Sequence, residues 1–281
     1  MGIEEEILHV AEESVRMAGN FLRLMSLEDM KVFRKDMGRD VVTNFDLESE
    51  RLITNEIKMY FPNHKISAEE LIHDTFSEED VVWFIDPLDG TKAFTRGSFA
   101  YVSLSAAARD PHGLIAAAIY NPFTDMLYSA SRSGKTLLNG KELPGLDHVP
   151  LAEARVLMDF HHSIDKRIQE SLGTADITKE VGRIFKLEGS IAQHLALIAQ
   201  GTLDAAIMWG AGKKGQYWDI AAGILILEKQ DVKVTDLDGN EILPSSEVFD
   251  QLVIASEKLH GEIIAWLKSL KKSKSWFRFG R

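Results

Sequence analysis

The chain has 281 residues, of which 45% are hydrophobic and 27% are charged, a composition that is ordinary for a folded globular protein and argues against long disorder. It has no cysteine, so disulfide bonds and thiolate metal sites are excluded. The formal charge of -11 argues against general binding to nucleic acid or to an anionic membrane, because such binding depends on basic surface facing phosphate.

The expected compartment is the cytoplasm. The first residues, MGIEEEILHV, carry acids where a secretory signal carries bases. No apolar run reaches the roughly 20 residues that span a bilayer, and the lack of cysteine fits a reducing compartment. We expect the protein to bind a small molecule, and we expect it to bind neither nucleic acid nor a membrane.

Five helices are predicted along the chain. The first has apolar residues at helical spacing from Ile3 to Met25, with acids on its other face. The second has Asp46 as its expected N-cap and Pro62 just after its end. The predicted helices cover residues 3–25, 47–61, 190–200, 218–229 and 258–271.

Strands are predicted between these helices, giving a mixed α/β chain with much antiparallel character. The run VVWFI at 81–85 is continuous and apolar, which is typical of a buried strand. Asn139 followed by Gly140 is a hairpin signal. The other predicted strands cover residues 65–67, 101–108, 114–120, 126–131, 154–160, 203–209, 232–236 and 251–256.

The segment WFIDPLDGTKAF, at 83–94, ends a buried strand with two aspartates three residues apart. The proline between them cannot continue a strand ladder, so we expect the chain to turn after Asp86, and the carboxylates of Asp86 and Asp89 can then converge. Gly90 allows a tight backbone, and a helix beginning at Thr91 would offer free N–H groups to a phosphate. The alternative is an Asp-rich turn that caps a helix.

Two further acidic elements carry weaker signals. Glu69 and Glu70 follow a predicted strand. Adjacent strand residues face opposite sides, so at most one of them should be a direct ligand unless the strand has already ended. Asp219 begins the segment DIAAGILILE, which is typical of a helix rich in small residues. Taken alone, the glutamate pair is best explained as a solvated loop and Asp219 as a helix N-cap.

Together these elements resemble the inositol monophosphatase family of magnesium-dependent, lithium-sensitive phosphatases. WFIDPLDGTKAF at 83–94 and WDIAAGILILE at 218–228 look like its two motifs. KDMGRDVVTNFD at 35–46 and GSIAQHLALIAQGTLDA at 189–205 are similar to two of its other segments. The resemblance covers most of the chain in the right order, and it implies a mixed α/β fold of the sugar-phosphatase type, a layered αβαβα sandwich.

The expected organisation is one catalytic domain over residues 1–281. Its N-terminal half, 1–145, carries the first motif and its C-terminal half, 146–281, carries the second. The segment PGLDHVP, at 144–150, is the best seam between them, and it is too short to be a flexible linker. The resemblance also implies a homodimer.

The resemblance assigns the metal ligands residue by residue. They are the side chains of Glu69, Asp86, Asp89 and Asp219 and the backbone carbonyl of Leu88. Carboxylates gathered this closely would repel one another or take up protons unless divalent cations neutralise them. Oxygen ligands without cysteine favour Mg²⁺, at two or three ions per site, with Mn²⁺ as a substitute.

The resemblance also assigns the reaction. It implies in-line attack on a phosphate ester by a water that the metal activates, with two ions as a clamp. Thr91 and Asp46 would form the water-activating pair, with Glu70 as a further catalytic carboxylate, and the amides of Gly90 and Thr91 would bind the phosphate. Asp46 would then serve both as a helix N-cap and in catalysis; the alternative is a cap only.

The substrate is less well defined by the sequence. Ser190, Met208, Lys213 and Lys214 match positions near the family's substrate. Met208 stands where inositol-specific members have an acid, and its thioether cannot accept hydrogen bonds from ring hydroxyls in the same way. The two lysines could meet a second phosphate, or they could belong to a solvated glycine-rich loop.

We therefore expect a phosphatase that acts on inositol monophosphate, on fructose 1,6-bisphosphate, or on both. One alternative is a 3′(2′),5′-bisphosphate nucleotidase. Another, from a different class of protein, is a catalytically idle metal-binding regulatory homologue. The presence of all five residues Glu69, Asp86, Asp89, Thr91 and Asp219 argues for an enzyme.

Overall fold

The computed structural model describes residues 2–35, 40–160, 180–209, 215–242 and 251–272. The chain divides into two compact units. The first comprises Met1–Pro144, Glu188–Ala196 and Tyr217–Lys229, and the second comprises Gly145–Leu187, Leu197–Gln216 and Gln230–Arg281. The division after Pro144 falls in the predicted seam, but two later segments return to the first unit, so the units are not sequential halves.

The first unit is built on a seven-stranded sheet in which the strands follow one another in chain order. The first two strands are parallel and each later pair is antiparallel. The strands are β3 (Lys65–Ala68), β4 (Val82–Asp89), β5 (Ser103–Asp110), β6 (Gly113–Asn121), β7 (Met126–Ser131), β8 (Leu137–Leu138) and β9 (Lys141–Glu142). Asn139 and Gly140 join the last two strands with positive φ angles of 50° and 75°, the geometry that the predicted hairpin turn requires.

Helices cover both faces of this sheet. Helices α1 (Ile3–Leu24) and α2 (Asn44–Tyr60) pack together and share a core with Trp83 and Ile85 of β4. Phe84, which points to the opposite face, packs edge-on against Tyr217 of α5 (Tyr217–Glu228), with ring centroids 4.7 Å apart. The strand is therefore buried on both sides, as its uninterrupted apolar run predicted.

Helix α2 begins earlier than the sequence suggested. Its N-cap is Thr43, whose hydroxyl accepts the N–H groups of Phe45 and Asp46. Asp46 is the third helical residue, and its carboxylate accepts the Thr43 N–H at 2.8 Å. The prediction of Asp46 as N-cap was wrong, because threonine and aspartate together form a reciprocal capping box three residues apart.

Strand β4 continues through the proline and does not end at Asp86. Asp86 pairs with Ser105 of β5 and Asp89 pairs with Ser103, with a shift of register between them. The bulge takes up Pro87, which has no N–H for the ladder. The strand thus reaches Asp89, which is followed by the short helix α3 (Thr91–Thr95).

Two smaller elements complete the first unit. Strands β1 (Val32–Lys35) and β2 (Asp40–Thr43) form an antiparallel pair, which the sequence pattern did not predict. Helix α4 (Ile191–Ala199) begins within the segment that returns to this unit. Strand β1 ends at Lys35, and α4 follows directly after Ser190.

The second unit contains a five-stranded sheet in the order β11-β10-β12-β14-β13. Helix α6 (Glu257–Lys272) contributes Leu259, Ile263 and Trp266 to its core. The strands are β10 (Arg155–Phe160), β11 (Arg183–Phe185), β12 (Ala205–Trp209), β13 (Val232–Thr235) and β14 (Gln251–Ser256). The mixture of helices with parallel and antiparallel strands confirms the predicted fold class. The stacking of five layers concerns both units together and stays a prediction.

None of the helices in the described ranges is both long enough and apolar enough to cross a membrane.

Candidate active site

Glu69 and Glu70 lie just past the end of β3, which stops at Ala68. The rule that adjacent strand residues face opposite sides therefore does not separate them. The Lys35 ammonium forms an ion pair with the Glu70 carboxylate and lies 3.6 Å from Glu69 Oε1. Both glutamates thus share one cation from the first strand pair.

Asp86 is buried among other acids. It is 2% exposed, and its Oδ1 accepts the Leu88 N–H at 3.1 Å. Burial, together with the negative charges of Glu69, Asp89 and Asp219, raises the pKa of Asp86 well above its usual value. Carboxylates from three separate segments of the chain therefore act on one another at Asp86.

Glu69 experiences the same crowding. Burial raises the pKa of Glu69 well above its usual value, and the charges of Glu70, Asp219 and Asp46 raise it further, while Lys35 opposes them. Asp219 is the third residue of α5, in its first turn. The alternative of Asp219 as an N-cap is therefore wrong, although a first-turn position still favours a negative charge.

Asp89 is tied to the start of helix α4. Its Oδ2 accepts the Ser190 hydroxyl at 2.7 Å and the Ala192 N–H at 2.8 Å. Burial raises the pKa of Asp89 to about 6, although hydrogen bonds from Ser190 and from the amides of Ala192, Ile191 and Gly90 act in the opposite direction. The helix N-terminus thus stabilises the charge that burial disfavours.

Ser190 is completely buried, and its hydroxyl already has three partners. It donates to Asp89, lies 2.7 Å from the Ser103 hydroxyl and accepts the Gln193 N–H at 2.8 Å. The predicted contact between Ser190 and a substrate stays a prediction. The Ser190 hydroxyl links Asp89 on β4, Ser103 on β5 and the first turn of α4.

Thr91 and Asp46 meet across 45 residues of sequence. The Thr91 hydroxyl is 2.8 Å from Asp46 Oδ1 and 3.0 Å from the Leu88 carbonyl oxygen. The other oxygen of Asp46 accepts the N–H and the hydroxyl of Thr43. Burial raises the pKa of Asp46 to about 6, although these hydrogen bonds lower it. One carboxylate therefore serves the helix start with one oxygen and Thr91 with the other.

Gly90 forms the turn between β4 and α3, with a φ of 88°. A Cβ atom there would lie 2.8 Å from the Tyr101 carbonyl oxygen and 3.0 Å from the Ser190 nitrogen. Glycine is therefore needed both for the left-handed backbone and for the close approach of two other segments.

The remaining predicted substrate residues are Met208, Lys213 and Lys214. Met208 belongs to β12 of the second unit, where it is 5% exposed and pairs in register with Asp159 and Leu252. Lys213 and Lys214 lie outside the described residues. Their predicted contacts with a substrate stay predictions.

The acids suit a divalent cation by their chemistry. They are oxygen donors, largely buried, and mutually repelling, which is the situation that a hard cation relieves. Among the described residues, no three histidine, aspartate or glutamate side chains are arranged to hold a metal ion as they stand. Instead Asp89 accepts hydrogen bonds from the start of α4, and Lys35 lies 3.6 Å from Glu69 Oε1, so two of the predicted ligands have other partners here.

The sequence interpretation missed one buried carboxylate, that of Glu50. It is completely buried in α2, and burial raises its pKa, against the effect of hydrogen bonds from Glu70 and the next two amides. A signal was present, because Asp46, Glu50, Ile53 and Ile57 follow the spacing of one buried helix face. A charged residue in that row requires a polar partner.

Comparison with known proteins gives consistent results. A family model described as the inositol monophosphatase family matches residues 3–272. The chain is 29% identical over 255 residues to the fructose-1,6-bisphosphatase/inositol-1-monophosphatase of Thermotoga maritima, covering 89% of this chain and 91% of that protein. It is 30% identical over 235 residues to the Nus factor SuhB of Vibrio cholerae, covering 83% and 86%.

A solved structure has the same fold. It is an IMPase/NADP phosphatase complexed with Mg²⁺ and phosphate, with a TM-score of 0.81 and 20% sequence identity over 95% of this chain and 97% of that one. At this identity the likeness concerns the fold.

Proposed function

Because this chain belongs to the inositol monophosphatase family, a family of phosphatases, we propose that it is a magnesium-dependent phosphomonoesterase. Its substrate would be a small phosphorylated polyol or sugar, either inositol monophosphate or fructose 1,6-bisphosphate or both. The observation that carries the proposal is the set of charges acting on Asp86, which come from Glu69, Asp89 and Asp219.

The proposed metal ligands are these four carboxylates and the carbonyl oxygen of Leu88. Two or three Mg²⁺ ions would be held there, with Mn²⁺ as a substitute. The raised pKa values of Glu69 and Asp86 support this assignment, because their burial and mutual repulsion leave a deficit of positive charge. When bound, the cation would supply that charge, polarise the phosphate ester and lower the pKa of a water molecule.

Thr91 would hold the attacking water. Its hydroxyl proton is directed at Asp46 Oδ1 and at the Leu88 carbonyl, which leaves the Thr91 oxygen able to accept a hydrogen bond from water. Asp46 would keep Thr91 in this orientation. As the water attacks, its proton would pass to the Thr91 oxygen and the Thr91 proton to Asp46, with Glu70 as a further catalytic carboxylate.

The phosphate would be bound by the amides of Gly90 and Thr91 at the start of α3. In the structure the Gly90 N–H faces the Asp89 carboxylate, so a bound phosphate would have to take over that hydrogen bond. The closely packed turn at Gly90 supports the assignment, because it fixes the direction of these amides.

Four residues would determine the choice of substrate: Ser190, Met208, Lys213 and Lys214. Met208 offers no carboxylate for sugar hydroxyls, which favours a substrate other than inositol monophosphate alone. Lys213 and Lys214 would meet a second phosphate, as in fructose 1,6-bisphosphate, and Ser190 would also contact the substrate. The Thermotoga maritima relative carries both activities in its name.

A regulatory role is the second candidate. The 30% identity to a Nus factor favours it, whereas the hydrogen bond between Thr91 and Asp46 beside the buried acids favours catalysis. A 3′(2′),5′-bisphosphate nucleotide stays an alternative substrate.

A substrate panel tests these proposals. Inositol 1-phosphate, fructose 1,6-bisphosphate and 3′-phosphoadenosine 5′-phosphate are compared at equal concentration, with Mg²⁺ and with EDTA. We expect phosphate release from the polyol or sugar esters with Mg²⁺, its loss with EDTA and its return when Mg²⁺ is restored. No release from any ester would favour the regulatory role, and release that resists EDTA would exclude the metal assignment.

Three expectations from the sequence stay proposals. They are that residues 1–281 act as one catalytic domain, that the protein is cytoplasmic, and that it is a homodimer. Sedimentation at the mass of a single 31.5 kDa chain would exclude the dimer.

A further inference from the structure

Glu50 is a buried carboxylate that is not among the predicted site residues, but it supports the segment that carries two of them, Glu69 and Glu70. Its Oε2 accepts the Glu70 N–H at 2.7 Å, and its Oε1 accepts the N–H groups of Leu71 at 2.8 Å and Ile72 at 2.9 Å. Three consecutive amides therefore converge on one side chain from helix α2.

This segment has left the regular sheet. Strand β3 ends at Ala68, whose own N–H donates to the Ile72 carbonyl at 2.8 Å. Glu69 donates its N–H to the Ile85 carbonyl at 3.2 Å. Beyond that point the amides of residues 70–72 are directed at Glu50. Helix α2 therefore holds the turn that brings the chain back to β3, where Ile72 and His73 pair with Ala68 and Ser67.

The carboxylate matches this task in a way that a neutral side chain does not. Both of its oxygens accept, and one of them accepts twice. Hydrogen bonds to a charged acceptor are stronger than neutral ones. In a glutamine, one oxygen would be replaced by an NH₂ donor facing an N–H donor, leaving at least one of the three amides without its acceptor.

We propose that Glu50 is a positioning residue that holds residues 69–72 in the conformation needed to direct the Glu69 and Glu70 carboxylates toward the metal site. The inference rests on the proposed function, since it concerns the same site. Glu50 would act through the backbone of the segment, without touching substrate or metal.

The test compares Glu50→Gln with Glu48→Gln. Glu48 lies on the same helix with its side chain 43% exposed and 3.5 Å from Arg51, so it receives the same chemical change away from the segment. Hydrogen exchange of the amides of residues 70–72 and calorimetric binding of Mg²⁺ or Mn²⁺ are measured for both variants and for the original protein.

For Glu50→Gln we expect amide exchange at residues 70–72 at least about tenfold faster, because the amides lose acceptors. We expect roughly 10- to 100-fold weaker cation binding, the range found when groups that orient metal ligands are changed. At saturating Mg²⁺ the KM for the phosphate ester should stay close to that of the original protein. Glu48→Gln should change none of these.

Unchanged amide exchange and cation affinity in Glu50→Gln would overturn the proposal. If that variant does not fold, Glu50→Asp keeps the charge but is one methylene shorter, and cation affinity equal to that of the original protein would likewise overturn it. A failure of the proposed function is recognised separately, because the unmodified protein would then bind no Mg²⁺ and release no phosphate.

Discussion

Asp46 shows how a single side chain can join the fold to the site. One carboxylate oxygen completes the capping box of α2 with Thr43, and the other orients Thr91. The pairing of Asp46 with Thr91 followed from the family resemblance, whereas the helix start at Asn44 did not, because Thr43 and Asp46 are both good capping residues. Only the positions of the atoms decide between them.

Replacing Asp89 by asparagine should abolish turnover without unfolding the protein. Asparagine has nearly the same volume and can still accept a hydrogen bond from Ser190, but it lacks the ligand charge. We expect kcat to fall by at least about 100-fold, with little change in the circular dichroism spectrum.

The matched control for this variant is Asp147→Asn, the same chemical change at an exposed position of the second unit. It should leave kcat unchanged. Normal phosphatase activity in Asp89→Asn would contradict the metal-ligand assignment.

Gly90→Ala should destabilise the first unit. The added Cβ would strain a backbone with φ of 88° and would come within 2.8 Å of the Tyr101 carbonyl oxygen. We expect a loss of about 2–3 kcal/mol in the free energy of unfolding, measured in urea.

Gly97→Ala measures the cost of backbone strain alone, without the close contact found at Gly90. Gly97 has a φ of 78°, and its Cβ would meet no other atom within 4 Å in the described part of the chain. It should lose only about 1 kcal/mol. Equal losses in the two variants would show that the close approach at Gly90 contributes nothing.

At the scale of the elements, helices α4 and α5 meet at a glycine. A Cβ atom on Gly223 of α5 would lie 2.2 Å from Leu195 Cδ2 and 2.7 Å from its Cβ. Gly223→Ala should therefore cost about 1–3 kcal/mol of stability, since this contact has no room for a methyl group. Because α5 carries Asp219, we also expect a lower apparent affinity for Mg²⁺.

The comparison is with Gly261→Ala in helix α6, where a Cβ would meet no described atom within 4 Å. Alanine there should raise stability by about 0.5–1 kcal/mol, through helix propensity. Thermal unfolding distinguishes the two, and stabilisation by Gly223→Ala would show that the helices are not closely packed there.

The longer elements could be predicted from sequence because each shows one clear periodicity. The first helix and the strands at 126–131 and 251–256 have the predicted bounds to within one residue. The strands β1, β2 and β11 have only three or four residues each, too few to show an alternation of polar and apolar positions. Their sequences show no periodicity of their own, so they were missed.

Strand β4 marks another limit of sequence reasoning. Proline usually ends a central strand, and on that ground a turn after Asp86 was expected. The strand instead absorbs Pro87 in a bulge opposite β5. The sequence pattern singled out Asp86 and Asp89. It could not predict the bulge, because a bulge depends on how the partner strand β5 pairs with β4.

At the scale of the whole molecule, the buried acids should make stability depend on pH. The pKa values of Asp46 and Asp89 are each raised from 3.8 to about 6, so the folded state holds protons that the unfolded state has released. The stability that these two carboxylates contribute without metal is therefore lost as pH rises through about 4 to 6, whereas His194, whose pKa burial lowers to about 4, contributes in the opposite direction. At ~1.4 kcal/mol per pKa unit, Asp46 alone contributes on the order of 3 kcal/mol.

Mg²⁺ should reverse this loss, because it binds the ionised carboxylates of the folded state. In EDTA we expect a lower melting temperature at about pH 7.5 than at about pH 5. Added Mg²⁺ should raise the melting temperature at the higher pH and change it little at the lower one. A melting temperature that is insensitive to Mg²⁺ at both pH values would contradict this account.

The central claim is that acids from three segments of the first unit gather around divalent cations. Anomalous scattering from a crystal grown with Mn²⁺ measures this most directly. The account predicts Mn²⁺ peaks bound by the carboxylate oxygens of Glu69, Asp86, Asp89 and Asp219. Mn²⁺ bound only elsewhere, or none bound at millimolar concentration, would contradict it.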